Sequence, residues 1–279
     1  MHHNADNAGP KGDAMPKRVI TIAPNSAEII CALGVCDQII AVSKFCVYPP
    51  ELKGREKIGG LFDPDLEKIV ALRPDLLVLR GHNEAIEKLC AERGIDLYHD
   101  RTDTLGDVEK TIVELGTRFG TEHKATKLVA KMRQQLSTIR QRVADQTKPR
   151  VLLVYARQPD RLTNLLTTGP GTFLHEMIEI AGGINLYADQ DMRYPQISLE
   201  SIVARRPDVI IELLPEVKMT PGLERRMREQ WHGVGSFPAV TSNRIHFLTD
   251  DHGLIPSPRY VEIIEKVSRL LHPEEHDHP

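Results

Sequence analysis

Residues 65–78 read DLEKIVALRPDLLV, and residues 198–211 read SLESIVARRPDVII. Leu66, Glu67, Ile69, Val70, Ala71, Arg73, Pro74 and Asp75 return as Leu199, Glu200, Ile202, Val203, Ala204, Arg206, Pro207 and Asp208. Solenoid units recur every ~20–50 residues, and these two copies lie much further apart. The repeat predicts two related lobes, each built around one helix–turn–strand element. In the first copy the helix runs over 65–72, the Arg73-Pro74-Asp75 turn follows, and 76–79 is a strand.

Outward from the first copy, RVITIA (18–23) is a β-rich apolar run and predicts a buried strand ending at Pro24. Asn25 or Ser26 is expected to cap a helix through AEIICAL, with Gly34 as its stop. Strands are expected at 38–42 and 95–98, and helices at 83–93 and 105–119. Tyr48-Pro49-Pro50 is a loop, because proline can continue neither a helix nor an interior strand. The second lobe opens in the same way, with RVLLVY (150–155) as a strand. Gly169-Pro170-Gly171 then leads into a helix over 172–181, and a late strand at 244–248 precedes a final helix over 258–271. Between the copies, 121–146 contains neither Pro nor Gly and carries Leu128, Met132, Leu136, Ile139 and Val143 at spacings of three and four. That pattern predicts one long amphipathic helix acting as a strut.

Apolar strands alternating with helices argue for parallel sheets covered on both faces. The expected organisation is a disordered tail (1–16), an N-terminal α/β lobe (17–120), a linking helix (121–147), a C-terminal α/β lobe (148–272) and a polar tail (273–279). Open α/β sheets bind ligands beyond the C-terminal ends of their strands, so a cleft between lobes is the expected site. Pro24, Asn25, Ser26 and the Gly169 turn are candidate walls, each at a helix N-terminus where backbone N–H groups favour polar ligand atoms.

A 41% apolar and 27% charged composition is that of an ordinary globular chain. The net charge of −3 gives no electrostatic case for binding nucleic acid or an anionic membrane. The opening MHHNADNAGPKGDAMPK lacks the apolar core of a secretory signal and a lipoprotein-type cysteine, so the sequence leaves both periplasmic and cytoplasmic locations open. Cys31, Cys36, Cys46 and Cys90 form no CxxC and read as small buried hydrophobes, with a disulfide or metal site as the alternative. No GxSxG, P-loop, GxGxxG, HExxH or EF-hand pattern occurs, and His82, His99, His175, His232, His246 and His252 are scattered without i, i+4 metal spacing. His2, His3, His272, His276 and His278 read as solvated tail residues, and His123 as exposed. Neither catalysis nor a cofactor is expected.

Several blocks in order carry a resemblance: RVITIAPNSAEIICALG, VSKFCVYPPELK, the two repeat blocks, TTGPGTFLHEMIEIAGGINL, and SPRY before the last helix. Together, from about Arg18 to His272, they resemble the helical-backbone (class III, cluster A) solute-binding proteins of ABC importers for cobalamin and iron siderophores. The resemblance implies an α/β fold of two Rossmann-like lobes with parallel sheets, joined by one long backbone helix. It implies a monomer that captures a small-molecule metal chelate and passes it to a permease dimer with its ATPase. It also implies a periplasmic or cell-envelope location. Glu67 and Glu200 match the glutamates that dock on the permease, although a first-turn glutamate also complements the helix dipole. Tyr48 matches an aromatic that packs against a corrin ring, or else anchors its loop. Further ligand positions implied are Leu61, Phe62, Arg80, Asn83, Asp250, Asp251, His252 and Arg259, the last of which could instead pair locally.

The chain departs from the cobalamin binders in having a single tryptophan, Trp231, and Leu61 where an aromatic is expected. Arg80, Arg157, Arg161, Arg193 and Arg259 could hold an anionic ferric chelate or haem. Cobalamin or another corrinoid leads on the YPP loop. The alternative class is an intracellular corrinoid- or metal-chelate-handling protein or enzyme on the same fold.

Overall fold

A computed structural model describes residues 15–158, 160–215 and 217–273. The expectations for residues 1–14 and 274–279, including four of the tail histidines, lie outside the described residues. The chain divides into two compact units; the main division falls inside a helix between Lys131 and Met132, and Asp103–Leu105 also belong to the second unit.

The first unit is built from β1 (Val19–Thr21), α1 (Pro24–Ala32), β2 (Ile39–Val42), β3 (Glu56–Lys57), α2 (Leu66–Leu72), β4 (Leu76–Arg80), α3 (Glu84–Arg93), β5 (Asp96–Asp100) and α4 (Leu105–Arg118). Its sheet has the order β3-β2-β1-β4-β5 and every pairing is parallel. Ile20, Ala41, Leu77 and Leu79 are fully or almost fully buried with Ile58, Ile69 and Ile86, as expected of strands covered on both faces.

α5 (Glu122–Arg142) is one unbroken helix. Its buried stripe is Ala125, Val129, Met132, Leu136, Ile139 and Val143, so Ala125 and Val129 pack where Leu128 was expected. The helix stops four residues earlier than 146, and its chain closes in tight turns such as Gln146 N–H to Val143 C=O at 3.2 Å.

The second unit continues with β6 (Arg150–Ala156), β7 (Leu165–Thr167), α6 (Phe173–Ile180), β8 (Ile184–Asn185), β9 (Gln196–Ile197), α7 (Leu199–Arg205), β10 (Val209–Leu213), α8 (Pro221–His232), α9 (Pro238–Thr241), β11 (Ile245–Leu248) and α10 (Tyr260–Leu271). The strand order is β11-β10-β6-β7-β9, with β8 also on β6. β11, β10 and β6 are parallel, but β7 runs antiparallel to both β6 and β9. This sheet is therefore mixed rather than wholly parallel. The reversal at β7 follows from a short return after β6, too short for a crossover helix.

The repeat performs the same local work in both units. Asp65 and Ser198 cap α2 and α7 by accepting from Lys68 N–H (2.9 Å) and Ser201 N–H (3.2 Å). Ile69 and Ile202 are fully buried. Arg73 and Arg206 close the helices in the left-handed region (φ 47° and 51°), and the following proline prevents continuation. The Asp75 carboxylate then accepts from the Lys17 and Arg18 amides at 2.8 and 3.0 Å, while Asp208 accepts from the Arg150 amide at 2.8 Å. Each copy thus fastens the entry of its own lobe's first strand.

Four local expectations are corrected. Pro24 opens α1 instead of preceding it, and neither Asn25 nor Ser26 caps it; the N-cap is Ala23 without a side-chain bond. Cys31 and Cys36 form a disulfide across the turn that ends α1, whereas Cys46 and Cys90 are free and buried. His272 is not solvated: its ring is half-buried and Nε2 lies 3.3 Å from the Gly182 carbonyl, with burial lowering its pKa. α8, capped by Thr220 with Pro221 in its first turn, was not anticipated.

Candidate functional site

In the first lobe, the loops leaving the C-terminal ends of β1, β2, β3, β4 and β5 form the face where an open α/β sheet takes its ligand. The loop after β2 places Phe45, Val47 and Tyr48 in solvent around buried Cys46. Lys44 N–H donates to the Gly59 carbonyl at 2.9 Å, so this loop abuts the one carrying Leu61 and Phe62. Phe62 is 93% exposed, whereas Leu61 packs against the core; the apolar contact offered at this corner is Phe62. An exposed cluster of this kind on one loop face is unusual for surface that stays in water.

A polar cluster gathers at the C-terminal ends of β4 and β5. Asn25 Nδ2 donates to Asp100 Oδ2 and, at 3.1 Å, to Thr102 Oγ1; Ser26 Oγ donates to Asp100 Oδ2 at 2.7 Å. Arg80 donates to Thr102 Oγ1. The structure thus brings Asn25, Ser26 and Arg80 together, but around Asp100 and inside the lobe: Asn25 and Ser26 are buried, and Pro24 is half-buried. Burial pushes the Asp100 carboxyl above its ordinary value, against the lowering effects of the Ser26 hydroxyl and the Arg80 charge. Asn83 is committed as the α3 N-cap, accepting from Ile86 N–H at 3.2 Å.

In the second lobe the corresponding strand ends are those of β6, β10 and β11. After β11, Asp250 pairs with Lys266. Asp251 accepts from His252 Nδ1 at 2.9 Å and from Arg259 at 3.1 Å. Burial works against ionising Asp251, but His252 and Arg259 together hold its carboxyl below the usual range. Arg259 therefore pairs locally, and His252 is buried. Gly169, expected to offer a free N–H, donates it to the Arg193 carbonyl at 2.7 Å. A Cβ there would collide with the Met192 carbonyl, so glycine is required for the close approach of the 192–193 segment.

Three of the five arginines considered for an anionic ligand are neutralised. Arg157 meets Glu212 at 2.6 Å, both almost fully buried (1% and 0% exposed), and also donates to Gln230 at 2.8 Å. Trp231, fully buried, gives its indole N–H to the other Glu212 oxygen at 2.6 Å, so the single tryptophan serves the core. Arg193 is paired with Asp103 at 2.7 Å, and Arg259 with Asp251. Arg161 is exposed.

Residues absent from the sequence reading are Phe45, Val47, Asp100, Tyr155 and Tyr194. The two tyrosines meet edge to face, centroids 5.6 Å apart at 75°, beside exposed Met192. Phe45 and Val47 could have been found by alternation around Cys46; Tyr155 and Tyr194 have no sequence spacing that marks them. Glu67 and Glu200 are both exposed in the first turns of α2 and α7. The Glu200 carboxylate is held below its ordinary value by its own backbone N–H and the Ser198 hydroxyl. Among the described residues no cluster of three or more His, Cys, Asp or Glu could hold a metal ion, and no helix is long and apolar enough to cross a membrane.

The vitamin B12-binding protein of Vibrio cholerae is 27% identical over 257 residues, covering 91% of this chain and 89% of that protein. YvrC of Bacillus subtilis, an ABC transporter substrate-binding lipoprotein, is 29% identical over 266 residues, 93% of this chain and 81% of its own length. Among solved structures, the periplasmic vitamin B12 binding protein BtuF of Vibrio cholerae superposes with a TM-score of 0.76 at 25% identity, covering 92% of this chain and 96% of that one. A periplasmic heme binding protein from Pseudomonas aeruginosa shares the fold, with a TM-score of 0.81 at 23% identity over 93% and 94% of the two chains. The profile of the periplasmic binding protein family matches residues 19–252, and with its two α/β units and unbroken helix the chain belongs to that family.

Proposed function

We propose that this protein is the solute-binding component of an ABC importer and captures a corrinoid, cobalamin foremost. It would pass the ligand, unreacted, to a permease dimer that docks on Glu67 and Glu200. The observation that carries the ligand class is the charge balance at the strand ends. Arg157, Arg193 and Arg259 each face a carboxylate, and Arg80 is spent on Thr102. Apart from the exposed Arg161, an anionic ligand such as haem or a ferric catecholate would have to break such pairs, at a cost that the new contacts must exceed. A flat ligand rich in amide groups needs apolar ring faces and scattered polar partners. On the first lobe the exposed Tyr48 and Phe62 supply ring faces of this kind. The vitamin B12-binding names of the Vibrio relatives support the same ligand. The Cys31–Cys36 disulfide favours an oxidising compartment, and so an extracytoplasmic location over the intracellular alternative.

Calorimetric titration with cobalamin, cobinamide, haem and a ferric hydroxamate tests the reading. The expected result is one corrinoid per chain with sub-micromolar affinity and at least tenfold weaker haem binding. Tight haem binding with no corrinoid heat would refute the ligand class.

A further inference from the structure

We propose that the first lobe carries, at the N-terminal edge of its sheet, a seat for the phosphodiester headgroup of an anionic phospholipid, made by Arg73 and Arg93 over an apolar floor. This site lies outside the strand ends assigned to the imported ligand, and it does not depend on that ligand's identity.

Val19 pairs with Leu76 and Leu76 with Asp96, so Arg18, Asp75 and Ile95 stand abreast where these strands begin. Beside them α2 ends at Leu72, with Arg73 in the left-handed region, and α3 ends at Arg93. The two helix ends border a hollow of about 600 Å³ lined by Val70, Ala71, Arg73, Pro74, Arg93 and Ile95. That volume is of small-molecule scale. Arg73 and Arg93 are both exposed, and among the described residues neither meets a carboxylate. The Arg18 guanidinium donates to the Leu72 and Arg73 carbonyls at 2.6 and 3.1 Å, which closes the end of α2 and adds a third cation at the rim. Lys17, exposed beside it, is a fourth.

The neighbouring acids are already engaged. Asp75 accepts from the Lys17 and Arg18 amides, one on each oxygen, at 2.8 and 3.0 Å. Asp96 holds Arg118, and Glu92 lies 3.9 Å from Lys88. Lys17, Arg18, Arg73 and Arg93 therefore outweigh Asp75 at this edge. The net charge of −3 hides the patch, because a surface charge acts over only about 8–10 Å in physiological salt. The charge and the floor together select the occupant. A phosphodiester offers paired anionic oxygens, which a guanidinium fork meets two at a time. The glycerol and first methylenes next to it can lie on Val70, Ala71, Pro74 and Ile95. A free phosphate ester leaves that floor unused, and a fully charged acidic peptide has nothing apolar to set on it. A second copy of this chain would bring the same cations against each other. Glu67, in the first turn of α2, stands about 9 Å from Arg73 along the helix axis, so an occupied seat leaves it clear.

The probe is dihexanoyl phosphatidylglycerol, kept below its micelle concentration, added to the ¹⁵N-labelled full chain and followed by amide chemical shifts. Saturable shifts at Val70, Ala71, Gly94 and Ile95 are expected. Dihexanoyl phosphatidylcholine, glycerol 3-phosphate and hexaglutamate should each bind at least tenfold more weakly. In flotation with phosphatidylglycerol–phosphatidylcholine vesicles, Arg73→Asn with Arg93→Gln should lower the bound fraction's partition constant about 25-fold, roughly fivefold per cation. Asparagine is chosen at 73 because it tolerates the left-handed conformation. Arg73→Lys with Arg93→Lys should stay within about threefold of wild type, and salt of about 0.5 M should abolish binding. Unmoved amides at the hollow, or vesicle binding indifferent to the Asn/Gln pair, would overturn the proposal. Glycerol 3-phosphate binding as tightly as the lipid would replace it with a free phosphate-ester site, and hexaglutamate doing so would replace it with an acidic protein partner. Cobalamin affinity should be the same in every variant. A flat cobalamin titration alongside lipid binding sinks only the corrinoid assignment, and cobalamin binding without a lipid effect sinks only the seat.

Discussion

Removing Glu212 is the sharpest test of the charge balance on which the ligand assignment depends. Glu212 accepts from Arg157 on one oxygen and from the Trp231 indole on the other, and all three side chains are buried or nearly so. Glu212→Ala leaves a buried guanidinium without its counter-charge, a defect that costs about 3–5 kcal/mol. Total stability is only about 5–15 kcal/mol, so the loss is a large fraction of it. At roughly 2–4 °C per kcal/mol for a unit of this size, the melting temperature should fall by on the order of 10 °C. Trp231 is the only tryptophan, so its emission during a urea titration reports this lobe directly. Replacing both charges, as Arg157→Met with Glu212→Leu, should recover most of the loss because no unpaired charge remains. Arg157→Met with Glu212→Leu should also leave corrinoid affinity within about threefold of wild type. The reasoning is refuted if Glu212→Ala costs under about 1 kcal/mol, or if the double substitution is no more stable than the single one.

Other outcomes follow from separate features. Cys31→Ser with Cys36→Ser should lower unfolding free energy by about 2 kcal/mol, the chain-entropy value for so short a loop, as read from urea midpoints. Burial, followed by the Arg244 and Arg228 charges, lowers the His246 pKa to about 4. Its neutral form is favoured on folding, so its contribution is fully present above pH 6.5 and is lost as pH falls toward 4. His246→Gln should flatten that part of the stability–pH curve. Tyr48→Ala and Phe62→Ala should each weaken corrinoid binding about tenfold, the scale of one ring contact, while leaving the thermal midpoint within about a degree. Asp100 has a raised carboxyl pKa, so its ionisation penalises the fold as pH rises above the unfolded value. Asp100→Asn should be nearly silent at pH 3.5 and stabilising at pH 7, measured by denaturant titration at both.

Local rules made the repeat, the strut and most strands legible. Caps, proline and apolar periodicity act within a few residues, so Asp65, Ser198, Arg73 and Pro207 show their roles without tertiary help. Long-range pairing was not legible. Asn25 and Ser26 look like helix caps until Asp100, 75 residues further on, claims them. Arg157 looks like a ligand-binding arginine until Glu212 arrives from another strand. α8 was hidden because its run of Glu and Arg buries little beyond Met227 and Trp231, too few positions for a clear period. β7 and β9 are two or three residues long, below what alternation can detect.

The aspartate that fastens Lys17 and Arg18 also fixes where the preceding chain departs. Their amides are held at the N-terminal end of β1, while Tyr48 and Phe62 sit on loops from the C-terminal ends of their strands. A tether fused ahead of residue 15 therefore leaves from the base of the first lobe and keeps its aromatic loops unobstructed. Immobilising the protein through that end on a sensor chip should preserve its corrinoid response.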